Sequence, residues 1–180
     1  MAVEKERIAA AAAAHVQPGD LLLIDAGTTT SRLAFLLPRD AELRVITNGL
    51  GVANELVDRL DIETSILGGK LVNAHQALFD PALERQLDHV HARIAFVGGY
   101  AVSSTRGVAS LSLDQARFKS LLMARADHVV VLADSSKLSP GYFPYWSAPP
   151  GRWRIITDDG QPEILPTFTT PTIDLEVVSP

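Results

Sequence analysis

The sequence predicts an α/β fold in which a mostly parallel sheet is covered by helices on both faces. Strand-like and helix-like patterns alternate along the 180 residues, as they do in chains built from strand–helix–strand units. The predicted strands are short, β-branched and almost wholly apolar, which is typical of strands buried on both faces. With 47% apolar residues, the chain is long enough for one well-buried core, so we expect a single main domain.

A helix is predicted ahead of the sheet. Residues 3–16, VEKERIAAAAAAHV, are rich in alanine and end before Pro18 and Gly19, which stop a helix. Because the apolar face of this helix is weak, we expect a packed linker rather than a core element. We therefore divide the chain into a linker helix over residues 1–18 and the main domain over residues 19–180.

The strands and helices of the main domain follow in alternation. The predicted strands cover residues 21–25, 42–47, 63–67, 93–98, 128–134, 152–159 and 174–178. The predicted helices cover residues 28–37, 51–60, 81–90 and 113–126. We expect a polar loop through Gly107. Residues 138–151 are rich in proline and aromatic side chains and predict an irregular flap or an oligomer contact.

Polar segments follow several of the predicted strands at the point where each strand ends. These segments are residues 25–30, 47–49, 68–70 and 134–137. Parallel strands present their carboxyl ends at one edge of the sheet, and α/β proteins of this kind bind ligands there. We therefore expect the polar segments to lie at that edge and to form a binding site.

The segment after the first strand has the pattern of an anion-binding loop. In LLLIDAGTTT, an apolar strand ends at Asp25, and residues 27–30, here called the GTTT loop, lead into a helix. The free N–H groups and the positive dipole end of a helix N-terminus attract phosphate. The alternative is that a threonine only caps the helix and that the glycine only turns the chain. The predicted ligand-binding residues here are Gly27, Thr28, Thr29 and Thr30.

A lysine after another buried strand can supply the full positive charge that the GTTT loop lacks. The segment VVVLADSSK ends its strand near Asp134 and places Lys137 three residues later. A phosphate dianion is bound best by hydrogen-bond donors together with a cation, so we expect Lys137 to contact it. The alternative is a solvated surface lysine that follows a serine turn.

Two carboxylates stand at the same strand ends. Asp25 would repel a phosphate at close range, so we expect it to accept hydrogen bonds from the hydroxyls of a polyol or to brace the GTTT loop. Asp134 has the same two roles open to it. The pair could instead act as acid and base on a sugar carbonyl, which keeps an enzyme as an alternative, although we assign no catalytic residue.

Small and polar residues follow two further strands. Asn48 and Gly49 suit contacts to hydroxyl or phosphate groups, or else form an Asx turn or a helix cap. Gly68 and Gly69 allow close approach of the backbone to a ligand, or else form a plain turn. We include all four residues in the predicted ligand-binding set.

Composition excludes several classes of function. The formal net charge is −5 and no dense basic cluster is present, which argues against nucleic-acid binding by this segment itself. The chain has no cysteine, which excludes disulfides and thiolate chemistry. Its histidines lack metal-ligand spacing, so we expect no metal and no cofactor. We also expect no membrane span and a cytoplasmic location.

The motifs DAGTTT, VITNG, ILGGK, AFVGG and VVVLADSSK, in this order and spacing, resemble the C-terminal sensor domain of DeoR-family bacterial transcriptional regulators. The resemblance implies a ribose-5-phosphate-isomerase-like fold and recognition of a phosphorylated sugar or related metabolite. Regulators of this family carry a winged helix-turn-helix before the domain. We therefore expect contact with DNA only through such an N-terminal domain, which is missing from these residues, and we expect a homo-oligomer.

Three functions follow for residues 19–180. The first is an effector-binding (sensor) domain that holds the phosphate with the GTTT loop and Lys137, and the polyol with Asp25, Asn48 and Asp134. The second is a sugar-phosphate isomerase or deaminase of the same broad fold. The third is an oligomerisation module with an empty pocket, against which the number of polar strand ends argues.

Overall fold

The computed structural model describes residues 2–80, 82–138 and 141–179. The helices are α1 (Ala2–Ala13), α2 (Thr28–Leu36), α3 (Leu50–Leu56), α4 (Leu83–Gln86) and α5 (Leu113–Ala124). The strands are β1 (Leu21–Ile24), β2 (Leu43–Thr47), β3 (Ile62–Ile66), β4 (Lys70–Val72), β5 (Ala77–Phe79), β6 (Ala92–Gly98), β7 (Val102–Ser103), β8 (Gly107–Ser110), β9 (Ala126–Leu132), β10 (Tyr145–Ser147), β11 (Trp153–Asp158) and β12 (Ile173–Val178).

Seven parallel strands form the main sheet, in the order β12-β11-β9-β6-β1-β2-β3. The alternation of strand and helix patterns predicted these strands, and the structure confirms the parallel α/β class. The predicted polar segments all follow the carboxyl ends of strands, namely β1, β2, β3 and β9. They therefore start from the same edge, as expected.

Alternate side chains along each strand enter two hydrophobic cores, one on each face of the sheet. Leu22 and Ile24 of β1 point into the core beneath α1, α2 and α3. Leu23 points the other way, into the core beneath α5. Because β1 is covered on both faces, its four residues are all apolar. The first polar side chain after them is that of Asp25, at the carboxyl end of the strand.

The N-terminal helix is a core element, which corrects the expectation of a packed linker. Ile8, Ala9 and Ala12 of α1 are fully buried and belong to the same core as β1 and α2. An alanine face looks weakly apolar because its side chains are small, but small side chains let two helices approach closely. The division at residue 18 stays a prediction.

A small antiparallel sheet, in the order β10-β8-β7, corrects two further predictions. The expected polar loop through Gly107 contains β7 and β8, and the expected irregular flap at residues 138–151 contributes β10. Gly107 has a φ of +85°, and a Cβ there would lie 2.2 Å from the carbonyl oxygen of Ser147. The pairing joins segments distant in sequence, so local periodicity did not reveal it.

The helical segments at residues 51–60 and 81–90 are shorter than predicted. Regular helix ends at Leu56 in α3, and α4 covers only Leu83–Gln86; Pro81, the predicted start of that helix, lies outside the described residues. The β4–β5 hairpin was not predicted, because its strands have three residues each and show no clear alternation. It stands at the carboxyl edge of the sheet.

The described part of the chain has neither a membrane-spanning helix nor a cluster of metal-binding side chains. None of its helices is long and apolar enough to cross a membrane. Within residues 2–80, 82–138 and 141–179, no cluster of three or more histidine, cysteine or acidic side chains could hold a metal ion.

Candidate functional site

A cavity of about 650 Å³ opens at the carboxyl edge of the main sheet. It lies where β1 and β6 are neighbours, and the ends of these strands, Asp25 and Gly98, line it. From β1 the chain continues to β2 on one side, whereas from β6 it continues to β9 on the other. Such a switch point leaves a crevice outside the strand ends, where open α/β sheets bind ligands.

The GTTT loop forms one wall of the cavity. Gly27 is the N-cap of α2, and no side chain caps the helix, so the free N–H groups of its first turn remain available to a ligand. The alternative in which Thr28 or Thr29 caps the helix is therefore wrong. The hydroxyls of Thr30 and Ser31 donate back to the carbonyl oxygen of Gly27, at 3.0 and 2.8 Å.

Thr29 adds a hydroxyl group to this wall. The residue is only 4% exposed and lines the cavity. Among the described residues, its hydroxyl has no hydrogen-bond partner. A polar atom of a molecule in the cavity could therefore form a hydrogen bond with this hydroxyl without displacing a protein partner.

Lys137 reaches the same cavity from the segment after β9. Its Nζ lies 4.0 Å from Oδ2 of Asp134. Burial lowers the pKa of Lys137; the charge of Asp134 opposes this effect, and the charges of Lys5 and Lys119 lower the pKa further. A bound anion would favour the charged form of a lysine in this position.

Lys119 of α5 is a cavity residue that the sequence analysis missed. It is 5% exposed, and its ammonium donates to Oδ2 of Asp25 and, at 2.8 Å, to the carbonyl oxygen of Gly98. Buried charges are stable only when they are paired. The contact therefore ties α5 to the ends of β1 and β6, and it leaves the carboxylate of Asp25 facing a cation at the cavity wall.

Gln115, four residues before Lys119, was also missed. It is 7% exposed and lines the cavity, and its Oε1 accepts a hydrogen bond from the N–H of Leu111 at 3.0 Å. Residues four apart share one face of a helix. The buried stripe of α5 also holds Phe118 and Leu122. A glutamine and a lysine within such an apolar stripe are unusual, and this pattern could have identified Gln115 and Lys119 from the sequence.

Asn48 and Gly49 lie beside the cavity without lining it. Nδ2 of Asn48 donates to the carbonyl oxygen of Leu78 at 3.2 Å, and the N–H of Leu78 donates to the carbonyl oxygen of Asn48 at 2.9 Å. A Cβ on Gly49 would lie 2.8 Å from Cα of Ala26. These residues hold the hairpin and the start of the GTTT loop in place, and direct contact with a ligand stays a prediction.

Gly68, Gly69 and Asp134 are not among the cavity-lining residues either. A Cβ on Gly69 would lie 2.6 Å from the carbonyl oxygen of Phe79, so this glycine permits the hairpin to fold back. Asp134 is 1% exposed and lies beside Lys137; its Oδ2 accepts no hydrogen bond within the described residues. Of the predicted set, the structure thus gathers Asp25, the GTTT loop and Lys137 around the cavity.

The β4–β5 hairpin supplies a further wall through Ala74, His75, Gln76, Ala77 and Phe79. The hydroxyl of Tyr100, which follows β6, lies 3.1 Å from Nδ1 of His75. The two rings meet edge to face with their centroids 6.2 Å apart. The contact joins the hairpin to the segment after β6, and both side chains line the cavity.

Residues 1–158 match the family described as the DeoR C terminal sensor domain. The chain is 33% identical over 135 residues to a putative aga operon transcriptional repressor of Escherichia coli O157:H7, covering 75% of this chain and 50% of that relative. It is 34% identical over 158 residues to an uncharacterized HTH-type transcriptional regulator of Bacillus subtilis strain 168, covering 88% and 61%. The chain therefore spans about half to three-fifths of the length of these relatives.

Solved structures share the fold at low sequence identity. Ribose 5-phosphate isomerase A of Methanocaldococcus jannaschii aligns with a TM-score of 0.53 at 18% identity, covering 75% of this chain and 53% of its own. A translation initiation factor eIF-2B of Pyrococcus horikoshii OT3 aligns with a TM-score of 0.53 at 19% identity, covering 76% and 48%. These likenesses confirm the predicted ribose-5-phosphate-isomerase-like fold, and the match over residues 1–158 shows that the chain belongs to the C-terminal sensor domains of the DeoR family.

Proposed function

We propose that this chain is the effector-binding part of a bacterial transcriptional regulator and that its cavity binds a phosphorylated sugar or a related phosphorylated metabolite. The GTTT loop and Lys137 hold the phosphate. The polyol occupies the remainder of the cavity, beside Asp25, Gln115 and the β4–β5 hairpin.

One observation carries the proposal. The uncapped N-terminus of α2 lines one cavity together with Lys137 and with Thr29, whose hydroxyl has no hydrogen-bond partner among the described residues. Each of these groups favours an anion with several acceptor oxygens, and a phosphate monoester has three. The formal charge of the whole chain is −5, so a local cluster of donors and cations, rather than a general basic surface, supplies the attraction.

The names of relatives agree with this ligand class. A relative that is 29% identical over 134 residues, covering 74% of this chain and 53% of its own, is the glycerol-3-phosphate regulon repressor of Escherichia coli K12. That name concerns a phosphorylated polyol.

Ligand binding would regulate DNA binding through a shift in population. A ligand changes an equilibrium between two arrangements only if it binds one of them more tightly. The effector would therefore favour either the DNA-binding or the released arrangement of the complete regulator. The expected homo-oligomer, the cytoplasmic location and the N-terminal DNA-binding domain belong to this proposal.

The test is a thermal-shift screen of phosphorylated sugars, each paired with its unphosphorylated parent. A ligand that binds only the folded state raises the melting temperature in proportion to the logarithm of its concentration above Kd. We expect at least one phosphorylated member to stabilise the chain and its parent to have little effect. Equal stabilisation by a sugar and its phosphate would contradict the assignment of a phosphate site.

The geometry favours binding over catalysis. An isomerase needs a free base beside the substrate carbonyl, but the carboxylate of Asp25 is paired with Lys119, and Asp134 does not line the cavity. We expect no turnover of pentose or hexose phosphates. Steady formation of isomer or ammonia by the wild-type chain would favour the enzyme instead.

A further inference from the structure

The N-terminal helix reaches the proposed phosphate site through one side chain. Nζ of Lys5, in α1, donates a hydrogen bond of 3.0 Å to Oγ1 of Thr28, the first residue of α2 and part of the GTTT loop. The interaction joins residues 23 apart in sequence. It places an ammonium group at the same helix N-terminus that the proposed function assigns to phosphate.

We propose that Lys5 is a phosphate-binding residue and that, through it, the position of α1 depends on whether the phosphate site is occupied. This inference rests on the proposed function. It adds a cation to the site, and it identifies α1 as the element that responds to the ligand.

The burial pattern of α1 positions Lys5 for this role. Lys5, Ile8, Ala9 and Ala12 share one face of the helix, because they are spaced three and four residues apart. Ile8, Ala9 and Ala12 are fully buried against the core. Lys5 is half-buried and continues this stripe by one turn, where it contacts Thr28, a residue that lines the cavity.

The charge of Lys5 is left for an anion to neutralise. No described carboxylate lies within ion-pair distance of its ammonium, which donates a hydrogen bond to the neutral hydroxyl of Thr28. Lys119, in contrast, has Asp25, and Lys137 has Asp134 at 4.0 Å. The charge of Lys5 is close enough to Lys137 to contribute to the lowered pKa of Lys137.

A dianion would relieve this repulsion and would gain a charge-assisted hydrogen bond from each ammonium. Thr28 and Thr29 would meanwhile offer their hydroxyls, and Thr29 has no competing partner among the described residues. The site therefore favours a phosphate dianion over a carboxylate monoanion. Because Lys5 lies in α1, the same contacts would order the first turns of that helix when the ligand is bound.

The test uses inorganic phosphate as the probe and the 180-residue chain. Backbone amide shifts of residues 27–30 report binding at about pH 8, where phosphate is mainly a dianion, with acetate at equal ionic strength as the monoanion. Lys5→Met keeps most of the aliphatic stem and removes the charge. Arg7→Met removes a charge from the same helix at a position for which no contact with the GTTT loop is found, and is the matched control.

We expect Lys5→Met to lower the affinity for phosphate by about threefold to tenfold. This is the loss expected when one charged hydrogen bond that is partly exposed to solvent is removed. Arg7→Met should change it by less than about twofold. In the wild-type chain, phosphate should also slow amide hydrogen exchange in the first turns of α1, and Lys5→Met should abolish that slowing. Both variants should retain the wild-type melting temperature in the absence of phosphate.

The alternative outcomes are distinct. If Lys5→Met binds phosphate like the wild type, the inference is wrong and the proposed function stands. If Lys5→Met and Arg7→Met weaken binding equally, Lys5 contributes only long-range charge and the inference is again wrong. If the wild type binds neither phosphate nor any phosphorylated sugar of the thermal screen, the proposed function fails together with it.

Discussion

Lys119 and Asp25 form a buried ion pair that connects the middle of α5 with the end of β1. Each residue is at most 5% exposed, and the ammonium also donates to the carbonyl oxygen of Gly98. The pair stands at the wall of the cavity, where it joins both strands of the switch point to a helix on one face of the sheet. It thus holds the ends of β1 and β6 against α5, at the cavity that the GTTT loop and the β4–β5 hairpin also line.

Removal of either partner should destabilise the chain strongly. An isolated buried charge is costly, so we expect Lys119→Met or Asp25→Leu to lower the free energy of unfolding by about 3–5 kcal/mol. The double variant should lose less than the sum of the single changes, because it leaves no unpaired charge. Urea unfolding of the four proteins measures this cycle. Additive losses would show that the two side chains do not stabilise each other.

Lys137→Ala should lower the affinity of the chain for a phosphorylated ligand by about tenfold to a hundredfold. Hydrogen bonds to charged groups contribute about 1.5–3 kcal/mol, and about 1.4 kcal/mol corresponds to tenfold in affinity. The unphosphorylated parent should bind poorly to both proteins, with little change. Calorimetry of the wild type and Lys137→Ala, each with the phosphorylated ligand and its parent, measures the coupling between Lys137 and the phosphate group. Lys70→Ala, an exposed lysine of β4 outside the cavity lining, is the control, and equal weakening of both ligands by Lys137→Ala would exclude a phosphate contact.

Phosphate affinity should decline at alkaline pH sooner than an ordinary lysine would require. Burial lowers the pKa of Lys137, and only the protonated ammonium attracts the phosphate. Affinity is therefore fully present below that pKa and falls as pH rises through it. Lys137→Arg should move this decline to higher pH, because a guanidinium stays charged. Calorimetry from pH 7 to 10 on the wild type and Lys137→Arg tests the shift. Identical dependence of affinity on pH in the two proteins would mean that Lys137 does not cause the decline at alkaline pH.

Gly49→Ala should damage the site although Gly49 does not line the cavity. A Cβ there would meet Cα of Ala26 at 2.8 Å, so Ala26, which directly precedes the GTTT loop, must move. We expect a loss of about 1–3 kcal/mol in unfolding free energy and weaker binding of phosphate. At Gly68 a Cβ would meet nothing within 4 Å, and Gly68→Ala should bind normally. Weaker binding by Gly68→Ala would place that glycine against the ligand after all.

Asp158, at the end of β11, should make stability depend on acid pH. It accepts hydrogen bonds from the N–H and hydroxyl of Ser135, both at 2.7 Å, and from the N–H of Gly160 at 3.0 Å. Burial acts to raise the pKa of Asp158, but these hydrogen bonds outweigh it and hold the pKa below the usual value. A carboxyl with a lowered pKa stabilises the fold above the unfolded pKa of about 4, and this stabilisation is lost as pH falls through the folded pKa.

Asp158→Asn should consequently lower the free energy of unfolding at pH 7 by about 1–3 kcal/mol, with a smaller difference at pH 3. Asp159→Asn, at the exposed neighbouring position, should have little effect at either pH. Denaturant unfolding at both pH values measures the two differences. An effect of Asp158→Asn that does not change with pH would show that the carboxylate charge is not its source.

The sequence by itself determined the strands of the main sheet, their burial on both faces and the start of α2 directly after the GTTT loop. These features follow from local periodicity and from glycine and hydroxyl residues at turns, which act over a few neighbouring positions. The family motifs belong to the same short segments. For that reason the parallel fold and the position of the GTTT loop and Lys137 at the carboxyl edge could be predicted.

Only the tertiary structure decided which side chains meet. Lys119 and Asp25 are 94 residues apart, Lys5 and Thr28 are joined across two helices, and β10 pairs with β8 in place of the expected flap. Such contacts depend on the order of strands in the sheet and on the rotation of each helix against it. Neither is encoded in the pattern of a single segment, because both result from burying all the apolar faces at once.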